Sequence, residues 1–165
     1  MPAPSIDDIE IIVATAEDWQ AVREIRLEAL LRDPQAFGST YAATVGRTEQ
    51  DWRARTQPSG STKLLERTAA RPVGIVGGLR GDDAGDASVG VIVSMYVSAS
   101  HRRRGVGRRL LQAQLHDFAS DPDIRTARLF VHTGQFAAVR LYAALGFQPV
   151  GEQEGEIIME RPLRP

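Results

Sequence analysis

The stretch from Val93 to Leu111, VSMYVSASHRRRGVGRRLL, constrains this chain more than any other. It continues a β-branched run over Val89 to Val97, with Met95 and Tyr96 near its end, which is the make-up of a buried strand. Ser98, Ala99 and Ser100 break that run, and from Gly107 onward Leu110, Leu111, Leu115 and Phe118 recur at helical spacing. Gly105 and Gly107 therefore fall where a strand turns into a helix. The first N–H groups of a helix have no partner within it, so such a junction favours an anion. Glycine there lets the backbone approach a ligand with no Cβ in the way. Arg102, Arg103, Arg104, Arg108 and Arg109 add positive charge around the same point. These residues predict a site for a phosphorylated ligand.

That charge is a local feature. The 165 residues hold 20 Lys and Arg against 21 Asp and Glu, a formal net charge of −1. Such a balance argues against general attraction to nucleic acid or to a membrane surface. No apolar run is long enough to span a bilayer, and the opening MPAPSIDD has neither basic residues nor an apolar signal core, so a cytoplasmic location is expected. With no cysteine there is no disulfide, thiolate metal ligand or cysteine nucleophile. His101, His116 and His132 are too scattered to propose a metal site, so no metal is expected. The length fits one domain over residues 1–165, with a core at about 9–163 and no repeat or linker.

Taken in order, Ile9 to Ala14 reads as a strand. Thr15 then caps a helix whose stripe of Trp19, Val22, Ile25, Arg26, Ala29 and Leu30 ends at Asp33-Pro34. Gln35 to Arg47 lacks a clean period and reads as a loop with at most a helical turn. Glu49 to Arg55 is a short helix anchored by Trp52, and Gln57 to Ser61 is a loop. Thr62–Arg67, Val73–Leu79 and Val89–Val97 form an expected antiparallel meander, turning at Ala69–Pro72 and at Gly81–Gly85. A helix from Gly105 to about Ala119 precedes a strand over Ala127–Val131, which a helical crossover should set parallel to Val89–Val97. Gln135–Ala144 is helical, closed by Gly146, and Phe147–Gly151 and Glu156–Arg161 are final, paired strands.

Two familiar phosphate loops fail. No Gly-x4-Gly-Lys with a following Ser or Thr occurs, and the third glycine of a dinucleotide loop is Leu110 here. What remains is Arg102-x-x-Gly105-x-Gly107 after a strand ending Met95-Tyr96-Val97. Downstream stands Gln135-Phe136-Ala137-Ala138-Val139-Arg140-Leu141-Tyr142, then Gly146-Phe147. Together these resemble the GNAT family, the GCN5-related N-acetyltransferases. Their pyrophosphate motif is Gln or Arg, two residues, Gly, one residue, Gly or Ala. Their second motif is Asn-x-x-Ala-x-x-Leu-Tyr, three residues, Gly-Phe, which departs here only at Gln135. Arg23-x-x-Arg26-Leu27 and Pro34-x-Ala36-Phe37 also resemble one GNAT subgroup.

The resemblance implies an α/β fold with a mixed sheet of about seven strands. Most are antiparallel, about four helices flank them, and a central parallel pair splays around acyl-CoA. It implies an enzyme that passes the acetyl group of acetyl-CoA to a primary amine of a small molecule or peptide, and a homodimer is compatible with it. Met95, Tyr96 and Val97 would line the pantetheine arm, and the Val97 N–H would donate to the thioester carbonyl. Arg102, Arg103, Arg104, Gly105, Val106, Gly107 and Arg108 would hold the pyrophosphate, and Gln135 the arm or the site wall. Tyr142 would be the general acid. Where some members carry a Glu on the bulged strand, this chain has Val91 or Ile92, which leaves Glu28, Glu66, His101 and His132 open as proton acceptors. A non-catalytic acyl-CoA-binding module of the same fold is the alternative. From the residues alone, Arg102–Arg104 also reads as a solvated charge cluster, and Tyr142, Phe37, Tyr41, Trp52 and Phe136 as packing aromatics.

Overall fold

Seven strands form one sheet in the order β1-β2-β3-β4-β5-β7-β6. The computed structural model describes residues 9–57, 61–69 and 71–164. The expectations for MPAPSIDD, for residues 58–60 of the Gln57–Ser61 loop and for Ala70 in the next turn lie outside the described residues. The strands are β1 (Glu10–Val13), β2 (Ser61–Arg67), β3 (Pro72–Arg80), β4 (Val89–Val97), β5 (Thr126–His132), β6 (Gln148–Gln153) and β7 (Glu156–Pro162). Every neighbouring pair is antiparallel except β4 with β5. The expected meander and the parallel pair are therefore present. β7 lies between β5 and β6, an order that patterning does not reveal because it depends on which edge accepts the last hairpin.

Five α-helices are described: α1 (Trp19–Arg32), α2 (Tyr41–Val45), α3 (Glu49–Thr56), α4 (Val106–Ala119) and α5 (Phe136–Ala144). α2 falls in the stretch that reads as a loop. Its only start signal is Thr40, whose Oγ1 accepts the Ala43 N–H at 3.1 Å. α1 covers one sheet face, where Val22, Ile25 and Ala29 pack with Leu65, Ile75 and Tyr96. α4 and α5 cover the other, around Val76, Leu110, Leu129 and Phe147. No described helix is long and apolar enough to cross a membrane.

The packing of α4 is set by glycines. Val106, Leu110, Gln114 and Phe118 follow one another at four-residue intervals and form a single buried stripe. Gly74, Gly78 and Gly90 lie beneath that stripe. A Cβ would come within 2.8 Å of Leu110 at Gly74, 2.2 Å of Gln114 at Gly78, and 2.7 Å of the Phe118 ring at Gly90. The helix thus rests in a trough without side chains. Phe118 is fully buried and cannot retreat. Gly90→Ala is therefore expected to destabilise the fold by about 1–3 kcal/mol through overpacking. An unchanged urea midpoint would show that α4 can lift.

Candidate active site

The parallel pairing of β4 with β5 covers Val89 with Thr126, Gly90 with Ala127 and Val91 with Arg128, and it stops there although both strands continue. The cause lies on the other side of β4. Ile75 pairs with Tyr96 and Gly77 with Val93, so one more residue of β4 than of β3 lies between these pairs. The surplus is a bulge, and Ser94 within it has φ 57°, a left-handed conformation uncommon outside glycine. Past the bulge, the Ser98 N–H donates to the Val73 carbonyl at 2.9 Å. Strand alternation then turns the Val97 N–H and C=O toward the side that β5 has left. The result is a fork with unpaired backbone along one wall.

At the tip of β4 a 3-10 turn, Ala99–His101, leads into the Arg–Gly segment. Arg103 has φ 61° and Gly105 φ 82°, and Gly105 caps α4. Among the described residues, no N–H from Arg103 to Arg108 makes a hydrogen bond of normal geometry, as an anion cradle at a helix start requires. The side chains divide their work. Arg103, Arg104 and Arg108 are free of ion pairs among the described residues. Arg102 Nε donates to the Val97 carbonyl at 3.0 Å, and its guanidinium lies 5.8 Å from the Tyr96 ring centroid.

Arg109 does not add its charge to the cradle. Its Nε and Nη2 donate to Glu66 Oε1 at 2.9 and 2.6 Å, and its Nη1 to the Arg104 carbonyl at 3.2 Å. It is a strut between the turn and β2. Burial pushes the Glu66 carboxyl up and Arg109 pulls it down, while Glu66 Oε2 has no partner.

Tyr142, on α5, is buried among Val106, Leu110, Leu129 and Val131, with its ring edge-on to Phe147 at 6.1 Å between centroids. Burial pushes its phenol up to about 12. Gln135 stands just before α5, its Nε2 3.5 Å from both carboxylate oxygens of Asp33, a weak contact across from the end of α1. The Tyr96 side chain faces α1 rather than α4. Its hydroxyl donates to Glu28 Oε2 at 2.8 Å, beside Ser98 Oγ at 2.6 Å, and burial followed by Glu28 raises its pKa to about 12. Val106 is buried in the core and offers the cradle only its backbone.

The sequence profile of the Acetyltransferase (GNAT) family matches residues 19–147. The chain belongs to the GNAT acetyltransferase family. Its fold is shared with a GNAT acetyltransferase from Streptococcus pneumoniae, at 20% identity and TM-score 0.76 over 93% of this chain and 98% of that one. It is shared with the paia N-acetyltransferase of Thermoplasma acidophilum in complex with coenzyme A, at 17% identity and TM-score 0.74 over 93% and 98%. A third is yncA of Salmonella typhimurium with its cofactor acetyl-CoA, at 22% identity and TM-score 0.74 over 95% of each chain. No curated protein matches the chain.

The open proton acceptors of this GNAT chain separate once placed. Glu66 is locked beneath the Arg–Gly turn by Arg109. His101 is buried beside Ser100 Oγ at 2.8 Å, and burial, with Arg104 and Arg71, holds its pKa low. His132 is exposed and accepts the Gly134 N–H. Val91 and Ile92 are buried and apolar. Glu28 remains, held against β4 just past the bulge by Tyr96 and Ser98. No group of three or more possible metal ligands occurs among the described residues. Sequence reasoning missed Arg26, whose side chain reaches the bulge at Ser94. Its signal was a charged residue within the apolar stripe of α1.

Proposed function

We propose that the chain is an N-acetyltransferase that passes the acetyl group of acetyl-CoA directly to a primary amine. The observation that carries this reading is the β4–β5 fork, open past Val91 and Arg128, with a bulge on one wall and a row of unpartnered N–H groups at its tip. The Arg103–Gly107 N–H groups, with the Arg103, Arg104 and Arg108 cations, suit a pyrophosphate. The pantetheine arm then runs along Met95 and Val97 as a surrogate strand. It displaces Arg102 Nε from the Val97 carbonyl, and the Val97 N–H polarises the thioester C=O.

The amine nitrogen attacks the thioester carbon as the C–S bond breaks, and the ammonium proton leaves to water or to Glu28. Tyr142 serves the departing sulfur. The sulfur leaves as a thiolate, whose thiol titrates at about 8.5. A phenol at about 12 therefore keeps its own proton and stabilises the thiolate by a hydrogen bond, while water supplies the proton of the released thiol. The phenol O–H donates most strongly as negative charge builds on sulfur, which is the condition for stabilising the transition state. Holding both reactants in the fork supplies further acceleration by proximity.

An amine panel with acetyl-CoA, followed by release of free thiol, tests the reading. Thiol release that depends on an amine is expected. Tight CoA binding without turnover across the panel would instead assign the fork to a CoA-sensing module.

A further inference from the structure

We infer that the amine acceptor carries an oxyanion and that Arg26 binds it, an inference that rests on the transferase reading above. Arg26 lies midway along α1, and its guanidinium reaches the bulge. Nη1 is 2.9 Å from Ser94 Oγ, Nη2 is 3.3 Å from Ser39 Oγ, and Cζ stands 4.7 Å from the Phe37 ring centroid. A guanidinium has about five N–H donors in a fixed fork. Its two hydrogen bonds both go to neutral hydroxyls, and no carboxylate among the described residues pairs with it.

A partly buried cation without a counter-ion is unfavourable, and here its surroundings add like charge. Burial and then Arg47 lower the Arg26 pKa; burial, Arg26 and Arg55 lower that of Lys63. Glu28, on the same helix, is turned to Tyr96 and Ser98. A neutral amide could bridge two serines, and the stacking on Phe37 leaves the in-plane N–H donors of the guanidinium unused. They lie at the bulge where β4 parts from β5, beside the point where the amine must attack. A guanidinium suits a carboxylate or phosphonate bidentately, and the surrounding cations repel a polyamine.

The test compares amino acids with their decarboxylated amines and amides, an aminophosphonate and spermidine. Thiol release is followed in parallel with calorimetry of each compound against the CoA-bound protein. Amino acids should exceed their decarboxylated amines in kcat/KM by roughly 30-fold, with the aminophosphonate separating the two oxyanions. Arg26→Gln should bring that ratio near unity through KM and leave acetyl-CoA affinity unchanged, while Arg26→Lys keeps part of the ratio. Equal use of both classes, a preference for spermidine, or an undiminished ratio in Arg26→Gln overturns the inference while the transferase reading stands. Carboxylate-selective, Arg26-dependent binding without thiol release does the reverse. Neither binding nor turnover overturns both.

Discussion

Gly107→Glu is expected to lower acetyl-CoA affinity by more than about 100-fold, because it forces an unpaired charge into an apolar wall. A Cβ at Gly107 would point at Met95 Cε at 3.1 Å, Leu141 Cδ2 at 3.3 Å and Val97 Cγ2 at 3.6 Å. That direction is into the fork, between β4 and α5, where the pantetheine arm is proposed to run. The glutamate adds bulk at the arm and negative charge close to the pyrophosphate cradle. Gly107→Ala meets only the ends of flexible side chains and should lose a few-fold at most, which separates the effect of charge from that of space. Calorimetry on both variants, with thermal melts to confirm folding, reads the outcome. Unchanged affinity in a folded Gly107→Glu protein would mean that the donor lies elsewhere.

Tyr142→Phe should reduce kcat by about 100-fold, the lower range for loss of a positioned hydrogen-bond donor to developing charge, with acetyl-CoA affinity nearly unaltered. The hydroxyl makes no hydrogen bond among the described residues, so its removal leaves the Phe147 contact and the surrounding core in place. The pH dependence is a second check. Burial raises the phenol to about 12, so its neutral, donating form persists below that value and is lost only as pH rises through it. Tyr142 should therefore contribute no alkaline limb to the rate below about pH 11. The rise at lower pH then belongs to deprotonation of the amine, and it should survive in the Phe variant. A wild-type decline at about pH 10 that vanishes in Tyr142→Phe would show that the phenol titrates normally. Equal kcat in the two proteins would remove its role.

The proposed donor half of the site is readable from sequence because it consists of local patterns. A strand that breaks at Ser98, glycines at a helix start and a tyrosine in a spaced motif are all visible within short windows, and they fall on the end of β4, the start of α4 and α5. Helix and strand periodicity carried the meander and the crossover for the same reason. What escaped was non-local. The strut from Arg109 to Glu66 joins residues 43 apart, so Arg109 reads in sequence as one more cation of the Arg–Gly turn. The Arg26 contact with Ser94 spans 68 positions, and the Arg23-x-x-Arg26-Leu27 pattern names no partner for it. The bulge in β4 was expected only through the family resemblance; it has no composition of its own, since Ser94 is an ordinary strand residue until pairing with β3 is counted. Val91 and Ile92 show the converse. Their apolar character was plain, and their burial on the paired segment of β4 accounts for it.

Three described residues other than glycine have positive φ, and two of them, Ser94 and Arg103, stand at the fork and at its tip. Each holds a conformation that disfavours a side chain by about 1–2 kcal/mol. Selection for durability alone would place glycine at both points. The chain keeps a serine whose hydroxyl meets Arg26 and an arginine beside the cradle. Two of these three strained points therefore lie where the acyl-CoA site is proposed. A lineage or an engineer pressing for thermal endurance would find ready gains at these two positions, and, on the proposed reading of the site, the more enduring protein would be the poorer catalyst.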